Sequence, residues 1–229
     1  MADLPILFST PMVRAILREI EHPGTGKTQT RRVLDAWCDE PPAIAYDGRI
    51  IAYDDGEREY RWPRTYAIDD RLYIREAHYR YGHWEPVARV RTKTGRQKWQ
   101  FVEDRPDVLF DAPAVFLKGM HHKDPATPAW HIRQGRTMFR HHSRITLIVT
   151  DVRVQRLQEI SETDAKAEGV FEFAVSRTMM ANCHKADRDL FRDLWDSLNS
   201  SRGYGWDANP WVAAYTFRPG LGNIDQVQP

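Results

Sequence analysis

Cysteine is almost missing from this chain: Cys38 and Cys183 are the only two in 229 residues. That excludes a disulfide framework and, with no CxxC pair, a cysteine-built zinc site. No run of about 18 apolar residues occurs, so no membrane-spanning helix is expected. The opening Met1-Ala2-Asp3 lacks the basic start of a signal peptide, and a cytoplasmic location is expected. Excess charge is lacking too. Thirty-three basic residues against 32 acidic ones leave +1, which excludes the bulk electrostatics of a dedicated nucleic-acid binder. Lysine is scarce, with 7 Lys against 26 Arg. Arginine suits bidentate phosphate contacts and stacking on bases, although a GC-rich genome produces the same bias.

What is present describes a folded globular chain. Hydrophobic residues make up 41%, charged residues 28%, and 8 Trp, 9 Tyr and 9 Phe supply enough apolar surface for a core without staples. The mean hydropathy of −0.62 agrees.

Pro5 to Phe8 reads as a short strand. A helix follows, with Thr10 as N-cap, Pro11 at the first helical position and Val13, Ile16, Leu17 and Ile20 on one face. His22-Pro23-Gly24 ends it and leads into Lys27-Thr28-Gln29-Thr30-Arg31-Arg32. Asp47-Gly48 marks a hairpin between Ile44 and Ile50, and a strand is expected over Arg71 to Arg75. Residues from about 78 to 142 show no sustained period beyond a second hairpin signal at Thr94-Gly95. They read as an insertion whose aromatics, Trp84, Trp99, Phe101, Phe110, Phe116 and Trp130, pack against something. A long strand over Ser143 to Leu157 changes phase at Thr150-Asp151. Ser161-Glu162-Thr163-Asp164 starts a short helix that stops at Gly169. A second helix, about Ala186 to Leu198, and a strand, Trp211 to Phe217, close the pattern before a tail from Pro219 expected to fray. Strands joined by hairpins rather than crossover helices predict an α+β fold, mainly one antiparallel sheet or small barrel with peripheral helices, in a single domain over 1–229.

Gly24-Thr25-Gly26-Lys27-Thr28 has part of a P-loop, but Glu21 stands where the first glycine belongs and a helix, not a strand, precedes it. Its glycines and N–H groups could still host an anion. His121-His122, His141-His142 and Cys183-His184 lack metal-ligand spacing, so no metal is expected. No Ser-His-Asp signature or G-x-S-x-G elbow occurs.

The Pro5-to-Val13 segment, Lys27-Thr28-Gln29-Thr30-Arg31-Arg32 and Asp70-Arg71-Leu72-Tyr73-Ile74-Arg75-Glu76 resemble the ASCH-domain (activating-signal-cointegrator homology) proteins of the phage and prophage branch. So, in order, do Ser143 to Leu147, Asp151 to Leu157, Asp164 to Gly169 and Trp206 to Val212. Both ends of the chain are covered and the middle is unmatched. The resemblance implies a PUA-like β-barrel, a fold associated with RNA and modified-base recognition, and host cytoplasm for a phage-encoded chain. It also implies a Lys-Thr-Glu triad, here Lys27, Thr30 and Glu168, like that of a small bacterial enzyme converting N4-acetylcytidine to cytidine and acetate. Gly26, Arg31, Arg32, Arg75 and Glu76 are the expected ligand-binding residues, and no cofactor is implied. The glycine-rich approach to Lys27 and the long insertion depart from that enzyme.

In residue chemistry, a threonine hydroxyl needs a base, and a lysine of lowered pKa supplies one. Burial lowers a lysine and a nearby carboxylate raises it, so either desolvation prevails or Glu168 works as acid/base near the leaving amine. The oxyanion is expected at N–H groups of the Gly26 to Thr30 loop, with Arg31 as the charged candidate. The ligand that the resemblance implies is RNA or a modified nucleoside or nucleotide, and the activity it implies is that of an amidohydrolase. A non-catalytic RNA-binding module and a phage assembly or scaffold protein remain the alternatives.

Overall fold

The computed structural model describes residues 2–34, 41–45, 48–54, 58–62, 65–176 and 185–227. In chain order the elements are β1 (Asp3–Leu7), α1 (Thr10–Glu21), β2 (Gln29–Val33), β3 (Ala43–Ile44), β4 (Ile50–Asp54), β5 (Arg58–Arg61) and β6 (Arg71–Arg75). Next come β7 (His78–Arg91), β8 (Gln97–Leu109), α2 (Met120–Lys123) and β9 (Ala129–Arg133). The last are β10 (Ile145–Arg156), α3 (Glu162–Ala167), α4 (Val170–Ser176), α5 (Asp187–Asn199) and β11 (Trp211–Leu221). No helix among the described residues is long and apolar enough to cross a membrane. The fold is α+β with mostly antiparallel sheets. Where the sequence suggests one domain with an insertion, the chain divides into two compact units, residues 75–142 and the remainder.

The larger unit is built on a five-stranded sheet of order β1-β6-β10-β11-β2, accompanied by the small sheet β3-β4-β5. β10 and β11 pair antiparallel along their lengths, with a register shift between Val149 and Asp151, where the hydrophobic alternation changes phase. Leu72, Leu147, Val149, Tyr215 and Phe217 are buried with Ile6, Val13 and Ile16 in one apolar cluster that also takes in Phe191 and Trp195 of α5. The Asp70 carboxylate ties the sheet's start together by accepting from the N–H groups of Ala2 and Ala67, at 2.7 and 3.0 Å. The edges β1 and β2 share no backbone ladder in the strand order. A side chain bridges them: the Arg32 guanidinium donates to the Leu7 carbonyl at 3.0 Å.

Several local expectations shift. Ser9, not Thr10, is the N-cap of α1, and Pro11 sits in the first turn. The tail does not fray at Pro219: β11 continues to Leu221, Ile224 is fully buried and the Val227 carbonyl accepts from Arg71. Its apolar Ile224 finds core to cover, which a Gly/Pro/Gln composition does not reveal. The hairpin at Gly48 forms, with Ala43 opposite Ile51 and Ile44 opposite Ile50; Tyr46 and Asp47 lie outside the described residues.

Residues 75–142 form an antiparallel sheet of order β8-β7-β9. Its alternation separates two faces. Tyr79 and Tyr81 point one way, in edge contact with Phe116 and Trp130 respectively. His78, Arg80 and Trp84 point the other way, where Trp84 meets Phe101 at 5.5 Å between ring centroids. Beyond Pro86 the two long strands are mostly exposed, so they carry no hydrophobic period to read.

Candidate functional site

The turn between α1 and β2 sets the position of Lys27. The Glu19 carboxylate reaches forward from α1 and accepts the N–H groups of Gly24 at 2.9 Å and Gly26 at 2.8 Å. The Lys27 N–H then bonds the Ala15 carbonyl, and the Thr28 N–H bonds that of Ala167, both at 2.9 Å. A Cβ on Gly26 would stand 2.2 Å from the Ala15 carbonyl oxygen, so only glycine allows this approach. These contacts overturn the anion-binding loop. The N–H groups of Gly26, Lys27 and Thr28 are spent inside the protein, and Gln29 and Thr30 pair with Thr216 and Tyr215 in the β2–β11 ladder.

α3 delivers the acid. Ser161 Oγ caps it by accepting the Asp164 N–H at 3.1 Å. Glu168 is its C-cap residue, and Gly169 follows with φ +74, the left-handed conformation that suits glycine after a helix. The Lys27 Nζ donates to the Glu168 carbonyl at 2.7 Å and to its Oε2 at 2.8 Å. Arg31 donates to Glu168 Oε1 at 2.9 Å and to Asp164 Oδ2 at 3.1 Å. Gln29 Nε2 and Arg153 complete the Asp164 shell. Lys27 is 1% exposed and Glu168 4%.

Such burial has a direct electrostatic consequence. Desolvation pushes the Lys27 ammonium below its usual value; Glu168 opposes this, while Arg32 and Arg31 reinforce it. For Asp164, burial alone would raise the carboxyl, but hydrogen bonds from Arg153 and Gln29 and the Arg31 charge override it and hold the group low. Glu168 thus faces two cations, of which only the lysine, its pKa lowered by burial, can release its proton. Deprotonated, Lys27 leaves Arg31 and Glu168 as a neutral ion pair. The two hydrogen bonds to Glu168 use two of its N–H bonds, leaving a third position for a proton or a lone pair. The Phe8 ring lies 5.6 Å from Nζ.

Thr30 is 3% exposed, but strand alternation puts its side chain on the face opposite Gln29 and Arg31. It stands across from Tyr215, whose hydroxyl accepts the Tyr66 N–H at 3.4 Å. Burial raises the pKa of that Tyr215 hydroxyl. Among the described residues no hydrogen bond links Thr30 Oγ1 to Lys27 or Glu168. Arg32 shares the Thr30 face, with its guanidinium 5.3 Å from the Phe8 ring. A cavity of about 290 Å³ opens beside the site, lined by Ala15, Gly24, Thr25, Gly26 and Gly169 among others, with none of Lys27, Thr30 and Glu168 on its walls. Arg75 and Glu76 belong to the other unit. There Arg75 lines a separate cavity, and Glu76 is buried with its carbonyl 3.0 Å from His78 Nδ1.

Asp164, Gln29 and Arg153 are members of the cluster that sequence reasoning missed. The available signal for Gln29 is its i, i+2 spacing from Arg31 on one strand. Asp164 is disguised as part of a capping box, and nothing local marks Arg153. Among the described residues no group of three or more His, Cys, Asp and Glu is placed to hold a metal ion. In comparison with known proteins, no family model, no curated protein and no solved structure matches the chain.

Proposed function

We propose that the larger unit is an ASCH-type, PUA-like domain that recognises a nucleobase or nucleotide and hydrolyses an N-acylated nucleoside such as N4-acetylcytidine. The observation that carries the reading is the Lys27–Glu168 contact. A lysine at full burial, depressed by desolvation and held by a carboxylate 141 residues away in the chain, has the properties of a general base. The Arg32 bridge between β1 and β2 supports a sheet curled toward a barrel.

In the proposed reaction the neutral Lys27 amine takes the Thr30 hydroxyl proton as Oγ1 adds to the acyl carbonyl. Collapse breaks the C–N bond, and the departing exocyclic amine receives from Lys27 the proton taken from Thr30. Water then cleaves the threonine ester, releasing the carboxylic acid and restoring the hydroxyl. Arg31 or Arg32 would bear the developing oxyanion, because the N–H groups of Gly26, Lys27 and Thr28 are taken. The step requires Thr30 and Lys27 to close to hydrogen-bond distance on binding.

The opposed placement of Thr30 and Arg31 on β2, and the absence of Lys27 from the neighbouring cavity wall, favour a second reading, a non-catalytic RNA-binding module in which the cluster fixes the fold. A screen of acylated nucleosides with wild type, Lys27→Met and Thr30→Ala separates the two. Hydrolysis by wild type, lost by orders of magnitude in both folded variants, is the expected result. Thr30→Ser should keep part of the activity. A wild type inert toward every acylated nucleoside, yet binding single-stranded RNA equally with and without the Thr30 hydroxyl, makes the module the better account.

A further inference from the structure

Residues 75–142 enclose a feature that the Lys27 reading does not use. On the face of the β8-β7-β9 sheet opposite Tyr79 and Tyr81, His78 lies across from Arg133 and Arg80 across from His131. His78, Arg80 and His131 are all buried. This face therefore buries polar and charged groups where a sheet commonly buries aliphatic ones. Over it opens a cavity of about 650 Å³, lined by Arg75, Arg80, Arg133, Arg136, Glu103 and Phe139 among others.

Four guanidinium groups line this cavity against one carboxylate. Arg80 takes that carboxylate, donating to Glu103, and also donates to a ring nitrogen of His142. An arginine can only donate, so the receiving imidazole nitrogen carries no proton. Burial, followed by the Arg80 charge, keeps His142 neutral with a pKa of about 4. Arg75, Arg133 and Arg136 form no ion pair with an acidic side chain among the described residues, although the Glu103 charge also acts on Arg133. Arg75 donates to the Arg136 carbonyl. Arg133 lies over the rings of Phe101 at 4.5 Å and Trp84 at 4.9 Å, an arrangement that fixes its guanidinium without neutralising it. The Nε atoms of Arg75 and Arg80 are buried and unpaired. Four guanidinium groups against one carboxylate, with unused donors around one concavity, are a built recognition site for a multiply charged anion. The volume far exceeds that of a lone phosphate. Phe139, 58% exposed, adds a flat apolar surface at the same cavity.

We propose that this cavity binds a nucleoside phosphate, with the phosphate held by Arg75, Arg133 and Arg136 and the base placed against Phe139. The same chemistry is offered by a free nucleotide and by the phosphorylated end of a strand. The site stands independently of the Lys27 reading, because all its residues lie within 75–142.

Calorimetric titration of the full chain with AMP, adenosine and pyrophosphate tests it. AMP should bind about tenfold or more tightly than adenosine, the difference expected from charge-assisted phosphate contacts. Arg136→Gln, at an exposed position that does not threaten the fold, should weaken both AMP and pyrophosphate about fivefold or more. Phe139→Ala should weaken AMP and leave pyrophosphate unchanged. A 5′-phosphorylated decanucleotide binding more tightly than both AMP and its unphosphorylated counterpart assigns the strand end; AMP binding at least as tightly assigns the free nucleotide. AMP binding no tighter than adenosine overturns the proposal. So does wild-type affinity in both Arg136→Gln and Arg133→Gln, with circular dichroism confirming that each is folded.

Discussion

Lys27 and Glu168 stand 141 positions apart in the chain, yet one buried ammonium donates to both the carboxylate and the main-chain carbonyl of the same glutamate, at 2.8 and 2.7 Å. Arg31 occupies the other carboxylate oxygen. The contact joins the start of β2 to the end of α3.

The arrangement is asymmetric, and stability should report it. Glu168→Ala strands the buried Lys27 ammonium and takes from Arg31 one of its two carboxylate partners, and should cost about 3–5 kcal/mol, the range for breaking a buried pair by removing one member. Lys27→Met leaves Glu168 still bound by Arg31 and replaces a desolvated charge with an apolar chain of similar length, so the loss should be under about 2 kcal/mol. Urea unfolding of the two variants measures both, and equal losses would contradict the asymmetry.

Lys27 also fixes a pH dependence. Because its folded-state pKa lies below the ordinary 10.5, between the two values the unfolded chain carries a proton that the folded chain has released. Stability contributed by this group therefore rises with pH across that window, and below the depressed pKa the penalty for a buried ammonium is complete. The unfolding free energy of wild type minus that of Lys27→Met should climb as pH approaches 10.5. A flat difference would show that the ammonium stays charged.

In residues 75–142 the acid side is the sensitive one. His142 titrates at about 4 when folded, against 6.5 for a free histidine, so its contribution is complete above about 6.5 and is lost as pH falls toward 4. Protection factors of the amides over Tyr79 to Tyr81, measured against intrinsic exchange at each pH, should fall in that window. His142→Gln, which keeps an acceptor for Arg80 but takes up no proton, should make the fall shallower. Some must remain, since burial also lowers His78 and His131. An unchanged slope would remove His142 from this role.

Two glycines with similar backbone angles should respond differently to alanine. Gly24 has φ +85 and nothing within 4 Å of an added Cβ; Gly169 has φ +74, and its Cβ would stand 2.8 Å from that of Ala15 and 2.9 Å from that of Lys27. Gly24→Ala should cost about 1 kcal/mol of backbone strain alone. Gly169→Ala should cost about 2–4 kcal/mol, because rigid neighbours at the Lys27 site must also move. Thermal melts of the pair decide it.

Much of the larger unit is legible in its residues because local chemistry and tertiary packing agree there. Val13 and Ile16 mark the buried face of α1, Ser161 caps α3, Gly169 stops it, and the phase change at Asp151 is the β10 irregularity. α4 escapes notice because Gly169 ends one helix and Val170 starts the next without an intervening loop. The sheet in residues 75–142 is illegible for another reason: its inward face carries His78, Arg80 and His131, and its distal strands are exposed, so hydrophobic alternation never appears.

By itself, then, the sequence determined the secondary-structure punctuation of the larger unit, which follows from side-chain chemistry and short-range spacing that act before any long-range contact forms. Lys27 and Glu168 are marked as residues to watch by the family resemblance alone. Only the tertiary structure decided that Glu19 consumes the loop N–H groups, that Arg31 shares Glu168, that Thr30 turns to the other face of β2, and that four arginines line one cavity. Those outcomes depend on which distant segments are packed together and on which partner remains for each buried charge.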